Sequence, residues 1–304
     1  MTGELYIDGV DAFVEYGVFV RNAGYNGLLE LAPLKKTDSN DWPEEDGIEA
    51  DLSDTVLDSR EFSISFACVN EPAISNMIAL LSDRAYHEFD FREIGLIKSL
   101  RMVSAPNRQT VLNLAIFNIQ FADDFPLYGY TYSPPISSIS IPDTGYELDN
   151  IDFSKYGITI LKGTYDEIMK MPAVKKNLLI NTRNITGAIY DGENVTFQAK
   201  DVSLKCYMKA KNWAEFWNNY NALLYNLSKP NERMLYIDIF NDEAPCYYVR
   251  TSIHKFTFLG SNIWFEFDLV LRFTSFRIRE IEYILTSQND EFIESNDGQY
   301  LIAI

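Results

Sequence analysis

The segment Phe13-Val14-Glu15-Tyr16-Gly17-Val18 decides the fold, because the chain contains a second version of it, Phe153-Ser154-Lys155-Tyr156-Gly157-Ile158. The two segments lie 140 positions apart. The same offset, without a gap, matches Tyr25 with Tyr165, Lys35-Lys36 with Lys175-Lys176, Gly47 with Gly187, and Asp51 with Asp191. A repeat at a fixed offset indicates two copies of one structural unit. We therefore predict a tandem duplication.

The order of predicted elements is the same in both copies. A helix is predicted over 72–81 in the first copy and over 213–224 in the second, where apolar residues recur at helical spacing. We interpret the aromatic residues of the second helix as core. Each helix is followed by a short strand, Tyr86 to Phe91 or Met234 to Phe240, and then by two strands, of which the last alternates apolar and polar residues. The predicted class is mainly β with α+β content: two tandem β-sandwich or tube-like domains, each with one helix.

The predicted boundaries follow from these patterns. Residues 1–126 form the first domain and 151–280 the second. Residues 127–150 form a linker rich in proline and serine, whose alternating Tyr and Ile residues indicate a segment lying on a domain surface as an added strand. Residues 281–304 have no counterpart in the first copy. The turn signal Asn296-Asp297-Gly298 predicts a hairpin there, which either completes its own sheet or docks on a neighbouring subunit.

Composition excludes several classes of protein. The 304 residues include 26 Lys and Arg against 44 Asp and Glu, for a net charge of −18. Such a chain does not bind nucleic acid through a basic surface. The first 140 residues carry 22 acidic and 9 basic residues, so the first domain is the more negative. We find no signal peptide and no apolar run long enough to span a membrane, and we expect a soluble protein made in the cytoplasm, without membrane insertion.

Candidate catalytic chemistry is sparse. The two histidines, His87 and His254, and the three scattered cysteines offer neither a triad nor a multi-cysteine metal site, and no phosphate-binding loop or nucleophile elbow is present. The densest charged feature is the acidic segment from Asp41 to Asp54, whose spacing and Pro43 do not fit a calcium loop. We expect no enzyme activity, no metal and no cofactor.

Candidate interface residues come from loop placement. We expect the segment Trp42 to Asp54 to make contacts in an assembly or line its lumen, and its counterpart Thr182 to Val195 and the tail Tyr300 to Ile304 to face a neighbour. Trp42, at the tip of a charged loop, either meets a partner or folds back on its own domain. The individual candidates are Trp42, Glu44, Glu45, Asp46, Asp191, Tyr300, Ile302 and Ile304.

The order of these motifs resembles the N-terminal domain of phage distal tail proteins and the related tail-tube fold. The resemblance rests on Phe13, Tyr16 and Gly17, then Gly47, Phe62 to Phe66 and Ala79-Leu80-Leu81, and on Phe153, Tyr156 and Gly157, then Gly187, Val202 to Cys206 and Ala222-Leu223-Leu224. It covers most of the chain as two copies. It implies a ring around a central channel, in which six units come from a trimer of two-unit chains; a hexamer of chains is also open. The sequence departs from the usual distal tail protein, whose second domain is a different sandwich.

The leading hypothesis is thus a structural ring protein of a phage or prophage tail, located in the virion as distal tail, baseplate or tail-tube component. Its partners would be copies of itself and other tail proteins, with DNA only as passing cargo and a host-surface glycan as a further partner. The alternative is a carbohydrate-binding adhesin, which predicts exposed coplanar aromatic rings on one face. A hydrolase that uses the acidic segment 41–54 is the third hypothesis.

Overall fold

The structure is a computed structural model. It describes residues 1–275 apart from positions 23, 70, 84, 112–113, 176–182, 185, 188–194 and 261, and it also describes 283–284 and 302–303. Within these residues, no helix is long and apolar enough to cross a membrane.

The first half of the chain forms one antiparallel sheet, a small hairpin and short helices. Its strands are β1 Leu5–Ile7, β2 Val10–Asp11, β3 Val18–Val20, β4 Ser39–Asn40, β5 Glu49–Ala50, β6 Arg60–Cys68, β7 His87–Phe91, β8 Leu96–Val111 and β9 Leu114–Asp123. Its helices are α1 Ala12–Tyr16, α2 Asn26–Leu29 and α3 Glu71–Leu81, with a 3₁₀ turn at Arg92–Ile94. Strands β4 and β5 pair with each other in a two-stranded sheet of their own.

The second half repeats these elements. Its strands are β10 Tyr146–Leu148, β11 Ile151–Asp152, β12 Ile158–Ile160, β13 Lys200–Ala210, β14 Arg233–Ile237, β15 Asp242–Leu259 and β16 Asn262–Phe273. Its helices are α4 Thr164–Met169 and α5 Trp213–Leu227, with 3₁₀ turns at Phe153–Tyr156 and Asp238–Phe240. Beyond it, β17 Tyr283–Ile284 pairs with β18 Ile302–Ala303.

The two sheets have the same topology. The strand order is β2-β1-β7-β8-β9-β6-β3 in the first and β11-β10-β14-β15-β16-β13-β12 in the second, seven strands each among the described residues. Every neighbouring pair in both sheets is antiparallel. The predicted duplication and the mainly β class with α+β content are therefore confirmed. We call the two halves the first unit and the second unit.

Local polar contacts explain why both copies fold alike. The Arg60 guanidinium donates to the carbonyl oxygens of Leu28 and Glu30 at the end of α2, and Lys200 donates to those of Ile168 and Lys170 at the end of α4. All three positions differ by the offset of 140. A cation there satisfies carbonyl groups that a helix leaves unpaired at its C-terminus.

Each unit buries the predicted helix against its own sheet. In the first unit, Ile74 and Met77 of α3 pack into the core, and in the second unit Phe216 and Leu223 of α5 do so. The described cysteine thiols are all buried, and burial raises the pKa of Cys206 and Cys246. These cysteines are core residues rather than reactive thiols.

The predicted linker 127–150 overlaps the second sheet, because β10 lies inside it and pairs with β14. Upstream of β10 the segment lies along helix α5, where Asn219 exchanges two hydrogen bonds of 3.0 Å with the backbone of Ile136. The segment lies on the surface of the second unit, but residues 127–145 do not form the added strand that was predicted. Its backbone is held by side chains of a helix, which a pattern of alternating residues does not reveal.

Candidate assembly interface

The two units join through a contact in which each uses a different face. The first unit inserts Leu29 and Leu31, from the end of α2, into the buried core of the second unit. The Tyr220 hydroxyl donates to the Leu29 carbonyl oxygen at 2.6 Å, and the Tyr248 hydroxyl donates to that of Leu31 at 3.2 Å. Burial raises the pKa of both tyrosines, so both hydroxyls remain neutral donors.

Helix α5 supplies the other half of this contact. Trp213 and Trp217 pack against the cores of both units, and the Trp217 indole donates to the Ile94 carbonyl oxygen at 2.7 Å. Gly95 has a φ of +61°, and a Cβ on it would lie 2.9 Å from Trp213 Cβ. Only glycine meets both constraints easily. The prediction of a core stripe holds for Phe216 on α5, whereas the two tryptophans extend the stripe into the contact between units.

The acidic segment of the first unit lies across the second unit. Gly47 N donates to the Phe197 carbonyl oxygen at 2.7 Å, and Ile48 N donates to that of Thr274 at 2.9 Å. In return, Phe197 N donates to an Asp46 carboxylate oxygen at 2.9 Å. We call residues 41–55, which make this crossing, the crossing loop.

One buried lysine anchors the start of the crossing loop. Lys175 Nζ lies 2.5 Å from Asp41 Oδ1 and donates to the Trp42 carbonyl oxygen at 2.8 Å, with 5% of its side chain exposed. Its counterpart in the first unit, Lys35, is exposed. The crossing loop therefore accounts for the difference in burial between these two lysines.

Each unit also has a face equivalent to the one that the other unit uses in this contact. Both of these faces have exposed residues. On the second unit, Met171 stands where the first unit has Leu31, and it is 62% exposed against 7% for Leu31. Ile239, within the second unit's 3₁₀ turn, is also exposed. On the first unit, helix α3 exposes Ser75 and Ala79. A contact between unlike faces thus leaves one complementary face free on each unit.

The predicted interface residues have different outcomes. Trp42 is half-exposed, and its indole donates to Glu49 at 3.1 Å, so it folds back on its own loop. Glu44 and Glu45 are exposed in the crossing loop, and Asp46 contacts the second unit. Ile302 lies in β18. Asp191, Tyr300 and Ile304 lie outside the described residues. The sequence analysis missed Leu29, Leu31, Trp217 and Lys175 as interface residues, because their burial depends on segments distant in the sequence.

The described residues show little that suits catalysis. No group of three or more His, Cys, Asp or Glu side chains among them is arranged to hold a metal ion. His87 Nδ1 lies 2.6 Å from Asp8 and its Nε2 lies 3.1 Å from Asp83. In the second unit, Arg233 occupies the same strand position and pairs with Asp149 at 2.8 Å. His87 thus has the same structural role as an arginine that closes a turn.

The first unit has a surface groove with exposed aromatic side chains. It has a volume of about 620 Å³ and is lined by Tyr86, Phe125 and Tyr128 among others. Tyr128 is 88% exposed. The planes of Tyr86 and Phe125 are inclined by 51°, and those of Phe125 and Tyr128 by 57°. These rings do not form the coplanar platform that the adhesin hypothesis predicts.

Comparisons with known proteins give no family but include a structural neighbour. No protein-family model matches the chain, and no curated protein sequence matches it. Among solved structures, the chain is similar to the SPP1 Dit protein, described as a paradigm of the hub adsorption apparatus in phages that infect Gram-positive bacteria. The match covers 88% of this chain and 97% of that chain, with 10% identity and a TM-score of 0.31. A TM-score this low does not establish a common fold, so we derive the function from the chain's own geometry.

Proposed function

We propose that the chain is a structural subunit of a ring in a phage or prophage tail, and that it has no catalytic role. The observation that carries the proposal is the contact between unlike faces of two units with the same topology. The second unit of one chain can repeat that contact with the first unit of another chain. The first unit of the other chain then supplies the face that helix α5 supplies within the chain. Repetition of such a contact generates a ring when the rotation closes.

Six-fold pseudosymmetry follows most simply from three chains, which bring six units. The known contact consists of a buried apolar centre, Leu29 and Leu31, and a polar crossing loop around it. This is the anatomy of a stable protein interface. Interfaces between obligate subunits bury on the order of 2,000 Å² or more, so a ring of this kind would persist on dilution.

The assignment to a tail, with a role as distal tail, baseplate or tube component, rests on the resemblance of the repeated motif to distal tail and tail-tube domains. The net charge of −18 suits a channel through which DNA passes without binding, since like charges lower the local concentration of the polymer. Other tail proteins would stack above and below the ring, in the virion.

The proposal is tested by native mass spectrometry of the purified full chain together with negative-stain imaging. We expect a mass three or six times the 35.0 kDa of one chain, and rings with a stain-filled centre. A single-chain mass at tens of micromolar, with no rings in the images, would contradict it. In gel-shift assays at moderate salt, we expect no retention of duplex DNA.

A further inference from the structure

The contact between the two units has two sides, and each side has a counterpart in the other unit. The first unit contributes the end of α2 and the 3₁₀ turn Arg92–Ile94. Their counterparts on the second unit, which we call the free turn face, are the end of α4 and the turn Asp238–Phe240 with Asn241. The second unit contributes α5 and β15. Their counterparts on the first unit, which we call the free helix face, are α3 and the part of β8 around Met102.

Strand register and burial identify the corresponding residues. Strand β14 follows β7 at an offset of 146, because Arg233 pairs with Cys246 as His87 pairs with Leu100. The same offset places the buried residues of α3 on buried residues of α5: Ala73 on Asn219, Ile74 on Tyr220, Met77 on Leu223 and Leu81 on Leu227. The two helices are therefore oriented alike on their sheets and present equivalent faces to a partner.

The free turn face exposes apolar side chains, whereas its counterpart is buried. Met171 is 62% exposed, against 7% for Leu31. Ile239 is 61% exposed, and its counterpart Glu93 is a carboxylate that accepts a hydrogen bond from the Tyr25 hydroxyl at 2.6 Å. The exposed position is therefore the more apolar of the two. Exposed apolar side chains on a face that is an interface in the other copy indicate a docking surface.

The free turn face also carries larger side chains than its counterpart. The corresponding residues are Met169 for Leu29, Met171 for Leu31, Phe240 for Ile94 and Asn241 for Gly95. Asn241 keeps the left-handed backbone of Gly95, with a φ of +46°, although it has a Cβ. In the first unit, a Cβ at this position would lie 2.9 Å from Trp213 Cβ. The free turn face therefore suits a partner helix without a tryptophan at the position of Trp213.

Helix α3 is such a partner. At the offset of 146, Trp213 would correspond to residue 67, which lies in β6, so α3 has no tryptophan at that position. The free helix face also has smaller side chains than its counterpart. The corresponding residues are Ile74 for Tyr220, Ser75 for Asn221 and Met102 for Tyr248. Larger side chains on one free face thus match smaller ones on the other, and exchanges that conserve volume are those that packing tolerates best.

From this exchange of sizes we infer that the free turn face of one chain docks on the free helix face of a second copy of this chain. The inference rests on the proposed ring and names its joint: Met171 lies beside Ser75 of the neighbour, because their counterparts Leu31 and Asn221 line the same small cavity in the contact within the chain. The occupant is a copy of this chain rather than another protein, because the two free faces deviate from the joined faces in opposite directions.

Two variants block the two faces separately. Met171→Glu places a charge on the free turn face, and Ser75→Glu places one on the free helix face. The matched controls are Leu259→Glu, at the exposed end of β15, and Asn118→Glu, on the outer face of β9. All four positions are exposed, so the variants are expected to fold; urea unfolding checks this.

Mixing the blocked variants gives the decisive readout by native mass spectrometry. We expect either one alone to remain at 35.0 kDa and both controls to assemble as the original chain does. The mixture is expected to stop at twice that mass, because one intact face of each kind remains. If the original chain assembles and both blocked variants assemble equally well, the free faces bind another protein, the inference is wrong and the ring stands. If the original chain does not assemble, both are wrong.

A cross-link provides an independent test. Met171→Cys in one copy and Ser75→Cys in another are expected to form an intermolecular disulfide under mild oxidation, since their counterparts line one cavity. The described native cysteines are buried and do not compete. Asn118→Cys replaces Ser75→Cys in the control pair. Equal cross-linking of both pairs, or none in an assembled sample, would contradict the joint.

Discussion

The first and second units have the same strand order but stabilise equivalent positions with different side chains. Beside the cation that caps the short helix, the first unit buries Asp123, which pairs with Arg60 at 3.4 Å and with Lys98 at 2.9 Å. The second unit has Phe273 at the position of Asp123, with Lys200 Nζ 5.8 Å from its ring centre. The comparison teaches that the capping cation is required by the backbone, whereas its surroundings can be ionic or apolar.

The largest effect is expected from disrupting the buried ion pairs of the first unit. Asp123→Ala leaves Arg60 and Lys98 without their buried partner. Burial already lowers the pKa of Lys98, and removing one partner of a buried ion pair costs about 3–5 kcal/mol. Urea unfolding of the full chain measures this loss.

The second unit supplies the matched control for that variant. The triple variant Arg60→Lys, Lys98→Ala and Asp123→Phe introduces the apolar arrangement of the second unit, in which Ala244 stands at the position of Lys98. Since apolar replacement of a buried ion pair is often neutral, we expect most of the stability lost in Asp123→Ala to return. A triple variant as unstable as Asp123→Ala would show that the two sites are not equivalent.

A smaller effect separates the two loop glycines. Gly187→Ala has only the cost of a left-handed backbone, about 1–2 kcal/mol, because nothing surrounds it. Gly47→Ala also forces the crossing loop away from Thr274, for a further ~1 kcal/mol or more. Urea unfolding of both variants measures the two losses, and equal losses would indicate that the crossing loop is not held against the second unit.

The smallest effect compares His87 with Arg233. Burial lowers the pKa of His87, but the hydrogen bonds to Asp8 and Asp83 raise it, and the result is a raised pKa. Protonated His87 therefore stabilises the folded chain fully below the unfolded pKa of about 6.5, and this contribution is lost as the pH rises through the folded pKa.

His87→Arg gives the first unit the side chain of the second. Arginine stays charged throughout this range, so we expect the part of the pH dependence between pH 5 and 8 that belongs to this site to disappear. Unfolding free energies across the range for both proteins measure the difference. An unchanged pH profile would mean that His87 is not protonated in the fold.

The sequence predicted the elements well because repeats and periodicity are local signals. The offset of 140 and the helical spacing in α5 identified the units and their helices. The sequence analysis did not detect that the offset between the two copies changes by one residue. The helical turn before Gly17 has five residues, and the 3₁₀ turn before Gly157 has four. The cap formed by Arg60 and Lys200 also escaped notice, since two different cations do not register as an identity.

The contact between units was harder to predict because it depends on distant segments. Leu31 looks like any apolar residue in a loop, and its burial depends on Tyr248, 217 residues away. The acidic segment was identified as an interface candidate from its placement in a loop, but backbone groups of Gly47 and Ile48 make hydrogen bonds to the second unit. Such contacts leave no pattern in the sequence.

The central claim is that the contact between the two units within a chain recurs between chains. An electron cryomicroscopy structure of the assembled protein tests this most directly. In that structure, one movement superposes the first unit on the second unit of the same chain. A second movement superposes the second unit on the first unit of the next chain, and the two movements are compared. We predict the same rotation and translation for both. An assembly joined by like faces about a two-fold axis, or by two unrelated movements, would contradict the claim.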